Sequence, residues 1–481
     1  MKNLVTLFVI LSVTLSLTWA LNSPLENFVE KPDQGWSYTL NKTLVFPGYS
    51  IHILNFTSIN WLTSSESNHP RWWHWLSICV PTEVYSKDGF LYVDGGKYDT
   101  NVDAPHAVLV KLCSTSNSIV SHLHNNPNQP LVLDNDGISR TEDDIIAYTW
   151  KKYIDNRNLT DWIGQFAETK ATVRAFDAIQ AFVKATTPYR VKNFVVAGES
   201  KRGWASWLAA AVDTRVKAVI PIVMPILNII ENTNAHFKAY GGWSFTYDDY
   251  FEQGIMTHLN KEPFEALAKL VDPIRFVEQL TVPKYVVNAA GDQYFLPDSA
   301  TFFWKDLLGQ KHLRIHPNGD HYIIKSRKAQ LVNEIDTYYN NIINKGKMPN
   351  FEWSIIPDPT TNTTNMFVNI DNKHNELKNI VVYFADTVSK TQRDWRWTTC
   401  GTSACFQGIY WNPLPVIKLD DNLYKYTITP PVAGGWRGAF FELTFESPYG
   451  DLVYTSDFGY APYILPFQSC GQDCQNQPFP V

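Results

Sequence analysis

A chain of 481 residues is too long for one compact core, and with 44% hydrophobic and 18% charged residues its composition is that of a folded protein of two domains, which excludes general disorder. The formal net charge of -6 comes from interspersed charges without a basic stripe, so there is no electrostatic footprint for nucleic acid. Aromatic residues make up 14%, with 17 Trp; rings of this kind fill cores first and line sugar or peptide clefts second.

The first twenty residues join Lys2 to an apolar run that ends at Thr18 and Ala20, the pattern of a cleavable secretory signal peptide over residues 1–20. Pro24 and Glu26 follow without a basic stop-transfer cluster, and no later stretch is long and apolar enough to span a bilayer. The chain is therefore expected to be secreted and extracellular, with no membrane span.

From Trp36 to Thr57 apolar and polar residues alternate, as antiparallel strands require, and "WWHWLSICVP" and "GFLYVDGG" continue the sheet. "TEDDIIAYTWKKYIDN" then has helical spacing, with Thr141 and Asp144 placed as a capping box, and "TKATVRAFDAIQAFVKA" is helical too. The short β-branched runs "VKNFVVAG", "VKAVIPIV", "PKYVVNAAG" and "HLRIHPN" alternate with helical segments, which predicts a mostly parallel sheet covered on both faces and an α/β class for residues 21–348. About 228–280 interrupts that alternation at a length suited to an inserted cap. Beyond "MPN" the chain turns strand-like, which predicts a β-sandwich over 349–481.

Six cysteines fit an oxidising compartment. Cys400 with Cys405 and Cys470 with Cys474 are spaced for local disulfides, while Cys79 and Cys113 either bridge or stay buried; the connectivity is open. No His flanks the close pairs at zinc spacing, so no metal is expected, and no cofactor is implied. Asn41, Asn55, Asn158 and Asn362 each begin an Asn-x-Thr sequon and are candidate glycan sites on an exported chain.

"VVAGESKRGW" carries the chemical question. A buried strand stops at Gly198, Ser200 stands alone and a helix begins, as in a nucleophile elbow; an N-cap serine gives the same pattern. The usual elbow is Gly-x-Ser-x-Gly, whereas here Arg202 occupies the second glycine's place and Gly203 comes one step late. A serine needs a histidine to take its proton and an acid to orient that histidine. Asp292 follows a strand in "VVNAAGDQYF", and His321 follows the next in "LRIHPNGDHYI", giving the chain order Ser200, Asp292, His321 of an α/β-hydrolase. Asp298 and His316 are the alternatives, although Asp298 opens the next helix and His316 sits within a strand run. The oxyanion donors expected are the Lys201 amide and that of Gly95 or Gly96 in "LYVDGGKYD". Lys201 and Arg202 oppose the dipole at a helix start and require a carboxylate, Glu199 or another. Trp204 is read as core, and "HNNPNQPL" and "TEDD" as turn and cap.

"GESKRGWASWLAAAVDTRVKAVIPIV", with "NNPNQPLVL", "RTEDDIIAYTW", "VRAFDAIQAF" and "YGGWSFTYDDYFEQGI", resembles the PhoPQ-activated pathogenicity-related family from about Leu25 to the C-terminus, and its secreted proliferation-repressing members most of all. The resemblance implies an α/β-hydrolase fold and a Gly-x-Ser-Lys-Arg-Gly-Trp elbow at Gly198, Ser200, Lys201, Arg202, Gly203 and Trp204. It also implies an extracellular signal that restrains proliferation of the producing cells through an unknown cell-surface receptor or secreted partner. The residues themselves support a secreted serine hydrolase acting on a small ester or peptide. A glycan-binding protein is the third reading, from the aromatics and the β-sandwich.

Overall fold

The computed structural model describes residues 23–481 other than 33–34, 99, 103, 372–373 and 472–473, so the expected signal peptide lies outside the described residues. Its centre is six parallel strands in the order Val120–Leu123, Asp88–Val93, Asn193–Glu199, Val216–Ile222, Lys284–Ala289 and Lys311–His316. The antiparallel strands Arg71–Pro81, Tyr49–Asn60 and Ser37–Phe46 extend one edge. Side chains alternate across this sheet: Leu91, Val93 and Val196 face one hydrophobic layer, and Phe90, Tyr92, Val195 and Ala197 the other. The first layer is closed by helices Asp143–Asp155, Gly164–Thr186 and Lys201–Val212, and the second by Ala107–Ser116 and Lys328–Ile343. Sheet order, helix placement and chain direction make this an α/β-hydrolase fold.

Between the strands Val216–Ile222 and Lys284–Ala289 the chain forms only helices, including Ile229–Tyr240, Asp248–Glu252 and Glu262–Val271, in the span anticipated for a cap. The C-terminal tail clasps it. Trp243 donates its N–H to Pro478 O at 2.9 Å and its indole N–H to Cys474 O at 2.8 Å, and it accepts from Val481 N–H at 3.0 Å.

The C-terminal strands pack as two sheets, and one of them is a continuation of the central sheet. Leu313 pairs antiparallel with Thr455, so Leu452–Thr455, Arg437–Phe445, Leu377–Asp386 and Asn412–Leu414 prolong the sheet without a break. A separate four-stranded sheet, containing Asn350–Asp358, Thr363–Asp371 and Leu423–Ile428, packs over it through Met366, Val368 and Ile428 against Phe441, Leu443 and Ala461. All six cysteines are paired, as Cys79–Cys113, Cys400–Cys405 and Cys470–Cys474. No helix among the described residues is long and apolar enough to cross a membrane.

The capping box expected at Thr141 and Asp144 does not form. The helix begins at Asp143, Glu142 takes the N-cap position with φ 54°, and no side chain caps it; Asp144 N–H binds the Thr141 carbonyl at 3.2 Å. The Glu142 side chain is instead turned toward the nucleophile helix.

Candidate active site

Ser200 sits at a sharp strand-to-helix turn with φ 54° and ψ -128°, a left-handed conformation that costs a non-glycine residue about 1–3 kcal/mol. Its N–H is tied to Ile222 O at 2.9 Å, and its hydroxyl makes no cap hydrogen bond, which removes the N-cap alternative. The glycines explain the shifted motif. A Cβ on Gly198 would lie 2.6 Å from the carbonyl carbon of Arg202, and a Cβ on Gly203 would lie 2.9 Å from Gly198 O and 2.9 Å from Met224 Cβ. The close approach of strand and helix therefore falls at 198 and 203; residue 202 stays in the contact through its backbone and Cβ, 2.8 Å from a Cβ built on Gly198, and only its guanidinium reaches away, to Glu142.

Three side chains distant in sequence meet there. The Ser200 hydroxyl donates to His321 Nε2 at 2.9 Å, and His321 Nδ1–H donates to Asp292 Oδ2 at 2.9 Å and Oδ1 at 3.0 Å. Asp292 is itself fixed, since its Oδ1 accepts the N–H groups of Tyr294 at 2.7 Å and Phe295 at 3.2 Å. The histidine loop is fixed by His321 N–H to Gln293 Oε1 at 3.1 Å, and Tyr294 lies against the imidazole with centroids 4.2 Å apart. The alternatives are engaged elsewhere: Asp298 is held by Arg393 (Nη1–Oδ2 2.9 Å), and His316 is buried against Glu334 (Nε2–Oε2 2.9 Å).

The cations at the start of the helix find carboxylates, but not Glu199. Arg202 forms a two-pronged pair with Glu142, 2.6 Å and 2.7 Å, and its Nε donates to Asn126 O at 2.6 Å. Lys201 Nζ donates to Asp143 Oδ2 at 2.7 Å, and Asp143 Oδ1 accepts from Tyr250 of the cap at 2.9 Å. Burial works against ionising Glu142, yet the cations of Arg202 and Lys201 hold its carboxyl well below the usual range. "TEDD" and "HNNPNQPL" thus supply the ionic and carbonyl partners of the elbow, beyond the turn and capping roles expected of them. Glu199 is engaged on the other side of the elbow. Its Oε1 accepts Ile324 N–H at 3.1 Å, fastening the segment after His321 to the elbow, and burial, then Asp94, pushes its carboxyl up to about 8.

Lys201 is the first helical residue, a position whose N–H has no intrahelical acceptor. The two glycine candidates differ. Gly95 N–H donates to Asp94 Oδ1 at 2.7 Å, so that amide is committed, while Gly96 adopts φ +123°, a region reserved for glycine. A Cβ on Gly95 would lie 2.6 Å from Arg202 Nη2, so the turn runs directly against the guanidinium.

Ser200 opens on a narrow apolar cavity with walls that include Trp204, Met224, Ile229, Met256, Phe264 and Phe295. Ile229, Met256 and Phe264 come from the helical segment between the strands Val216–Ile222 and Lys284–Ala289, which forms one side of this cavity. Trp204 is buried as expected of core, but one side of it is a cavity wall, and its indole N–H donates to Val271 O at 2.6 Å.

The sequence profile of the PhoPQ-activated pathogenicity-related protein family matches residues 25–396. Autocrine proliferation repressor protein A of Dictyostelium discoideum is 38% identical over 463 residues, covering 94% of this chain and 93% of the relative. Among solved structures, acetyl xylan esterase 1 from Thermoanaerobacterium sp. is 15% identical and aligns over 62% of this chain and 87% of its own, with a TM-score of 0.42. Acetyl xylan esterase from Paenibacillus sp. R4 is 13% identical over 64% of this chain and 91% of its own, with a TM-score of 0.45.

Proposed function

The chain belongs to the PhoPQ-activated pathogenicity-related protein family, and from that premise we propose that it is an exported serine hydrolase that cleaves an ester or peptide bond next to an apolar acyl group. The observation that carries the proposal is the continuous relay from Ser200 Oγ through His321 to Asp292, each link at about 2.9 Å. Ser200 Oγ attacks the substrate carbonyl carbon while His321 Nε2 takes its proton. The leaving alcohol or amine then receives that proton from His321, and water, activated by the same nitrogen, releases the acyl group from the serine. Asp292 orients the imidazole and stabilises its charged form. The amides of Lys201 and Gly96 are the oxyanion donors, with Gly95 set aside because its N–H already serves Asp94. The apolar walls of the cavity favour an acyl group without charge.

Export is supported by three disulfides, and Asn41, Asn55, Asn158 and Asn362 are all exposed, as glycan attachment requires. A second reading concerns the biological role. The autocrine proliferation repressor of Dictyostelium matches this chain over nearly its whole length, which favours an extracellular signal that restrains growth of the producing cells through a receptor or secreted partner.

The experiment is to measure hydrolysis of p-nitrophenyl esters and aminoacyl p-nitroanilides by wild type and Ser200→Ala, and to apply both proteins to growing producer cells. Loss of turnover together with growth restraint would tie the signal to hydrolysis. Restraint that survives without turnover would separate the two, and absence of turnover in the wild type would reject the hydrolase.

A further inference from the structure

A second cluster lies at the same end of the sheet and has no part in the relay. Asp94 follows the strand Asp88–Val93, His106 precedes the helix Ala107–Ser116, and His122 stands in the strand Val120–Leu123. The parallel pairing of those two strands, Val93 with Leu123, sets Asp94 and His122 side by side, and the helix start brings His106 over them. One ligand atom from each of the three lies within 4.8 Å of the others.

We propose that Asp94, His106 and His122 bind one zinc ion. His122 Nε2 and Asp94 Oδ2 are 3.0 Å apart. Ligands about 2.1 Å from a tetrahedral zinc stand about 3.4 Å from one another, so this pair is already at ligand spacing and the third needs to close by no more than about 1.4 Å. Two imidazoles and one carboxylate are a donor set that suits zinc and is too rich in nitrogen for calcium or magnesium. The pocket is also built. His122 is fully buried; the ring of His124 lies 3.7 Å from that of His122, with its own Nε2 buried and unpartnered, and Tyr92 stacks on His106 at 4.8 Å. Asp94 keeps 40% of its side chain exposed, which gives an ion a way in and leaves a coordination position for water or an external ligand. The main structural cost falls at His106, whose Nδ1 accepts a long 3.3 Å bond from Val108 N–H. The expectation of no metal came from the cysteine pairs alone, whereas this set is spread over 28 positions that only the sheet brings together.

The test uses the untagged, full-length secreted protein, stripped with chelator and titrated with zinc by calorimetry, with metal content measured after dialysis. One zinc per chain is expected, with a rise in melting temperature on zinc addition and none on calcium addition. His106→Gln and Asp94→Asn, both at partly exposed positions, should each weaken zinc binding at least tenfold and lose the thermal shift, while circular dichroism shows the same fold. A stripped wild type that takes up no stoichiometric zinc, or folded variants that bind it as tightly as wild type, would overturn the proposal.

Discussion

Arg202 and Glu142 face each other through two charge-assisted hydrogen bonds, 2.6 Å and 2.7 Å, that join the nucleophile helix to the N-terminus of the helix Asp143–Asp155. The pair occupies the space that a shorter residue at 202 would leave, and Gln129 completes it by donating to Glu142 Oε1 at 2.6 Å and accepting the Glu142 N–H at 2.8 Å. What looks in sequence like a spoiled elbow is an elbow braced from the side.

The two partners are unequally buried, with side-chain exposures of 8% for Arg202 and 39% for Glu142. Glu142→Ala strands a guanidinium away from water and should cost about 3–5 kcal/mol in urea unfolding. Arg202→Gln leaves a carboxylate that can hydrate and still has Lys201 at 3.3 Å, so its cost should be clearly smaller. Arg202→Gly, which restores the Gly-x-Ser-x-Gly consensus, should lower stability; a gain would refute the bracing role.

Asp292→Asn preserves the shape of the relay but presents an amide where His321 Nδ1–H needs a carboxylate. The wrong imidazole tautomer is then favoured, and turnover should fall by roughly 10⁴-fold with little change in melting temperature. Asp298→Asn should leave turnover within a few-fold of wild type, because that carboxylate is occupied by Arg393.

Glu199 titrates near 8 in the folded protein against an ordinary value of 4.5, chiefly because it is buried. The folded state therefore holds this proton where the unfolded state has released it, and the contribution of Glu199 to stability falls as pH rises from about 4.5 to about 8, then levels off. Glu199→Gln keeps an acceptor for Ile324 N–H and removes the titration. Its melting temperature should match wild type near pH 4.5 and exceed it increasingly toward pH 8; parallel pH profiles would contradict the assignment.

The Cys79–Cys113 bridge closes 34 residues and ties the strand Arg71–Pro81 to the helix Ala107–Ser116. Replacing both with Ser should lower unfolding free energy by about 2–4 kcal/mol, mostly through greater freedom of the unfolded chain.

Much of this was legible in the chain. Short β-branched runs alternating with helical patterns marked out the α/β region because each central strand is flanked by helices that bury both its faces, and the convergence of Ser200, Asp292 and His321 could be expected because each follows a strand in the order the fold uses. Long-range pairings were not legible. Glu142 meets Arg202 across 60 positions, and a local capping signal at Thr141 concealed the side chain's real partner. The join of Leu313 to Thr455 makes the C-terminal strands part of the central sheet, and nothing in the alternation of either strand announces its neighbour. The second glycine of the elbow stands at Gly203, one place later than the consensus, because the tight contact depends on where the first helical turn crosses the strand, which spacing alone does not give.

The most direct measurement is intact-protein and peptide mass spectrometry after reaction with a fluorophosphonate. Modification of one site in the wild type, mapped to Ser200, abolished in Ser200→Ala and strongly slowed in His321→Ala, is the predicted result. A folded wild type that stays unmodified, or a Ser200→Ala protein modified as fast as wild type, would contradict the account.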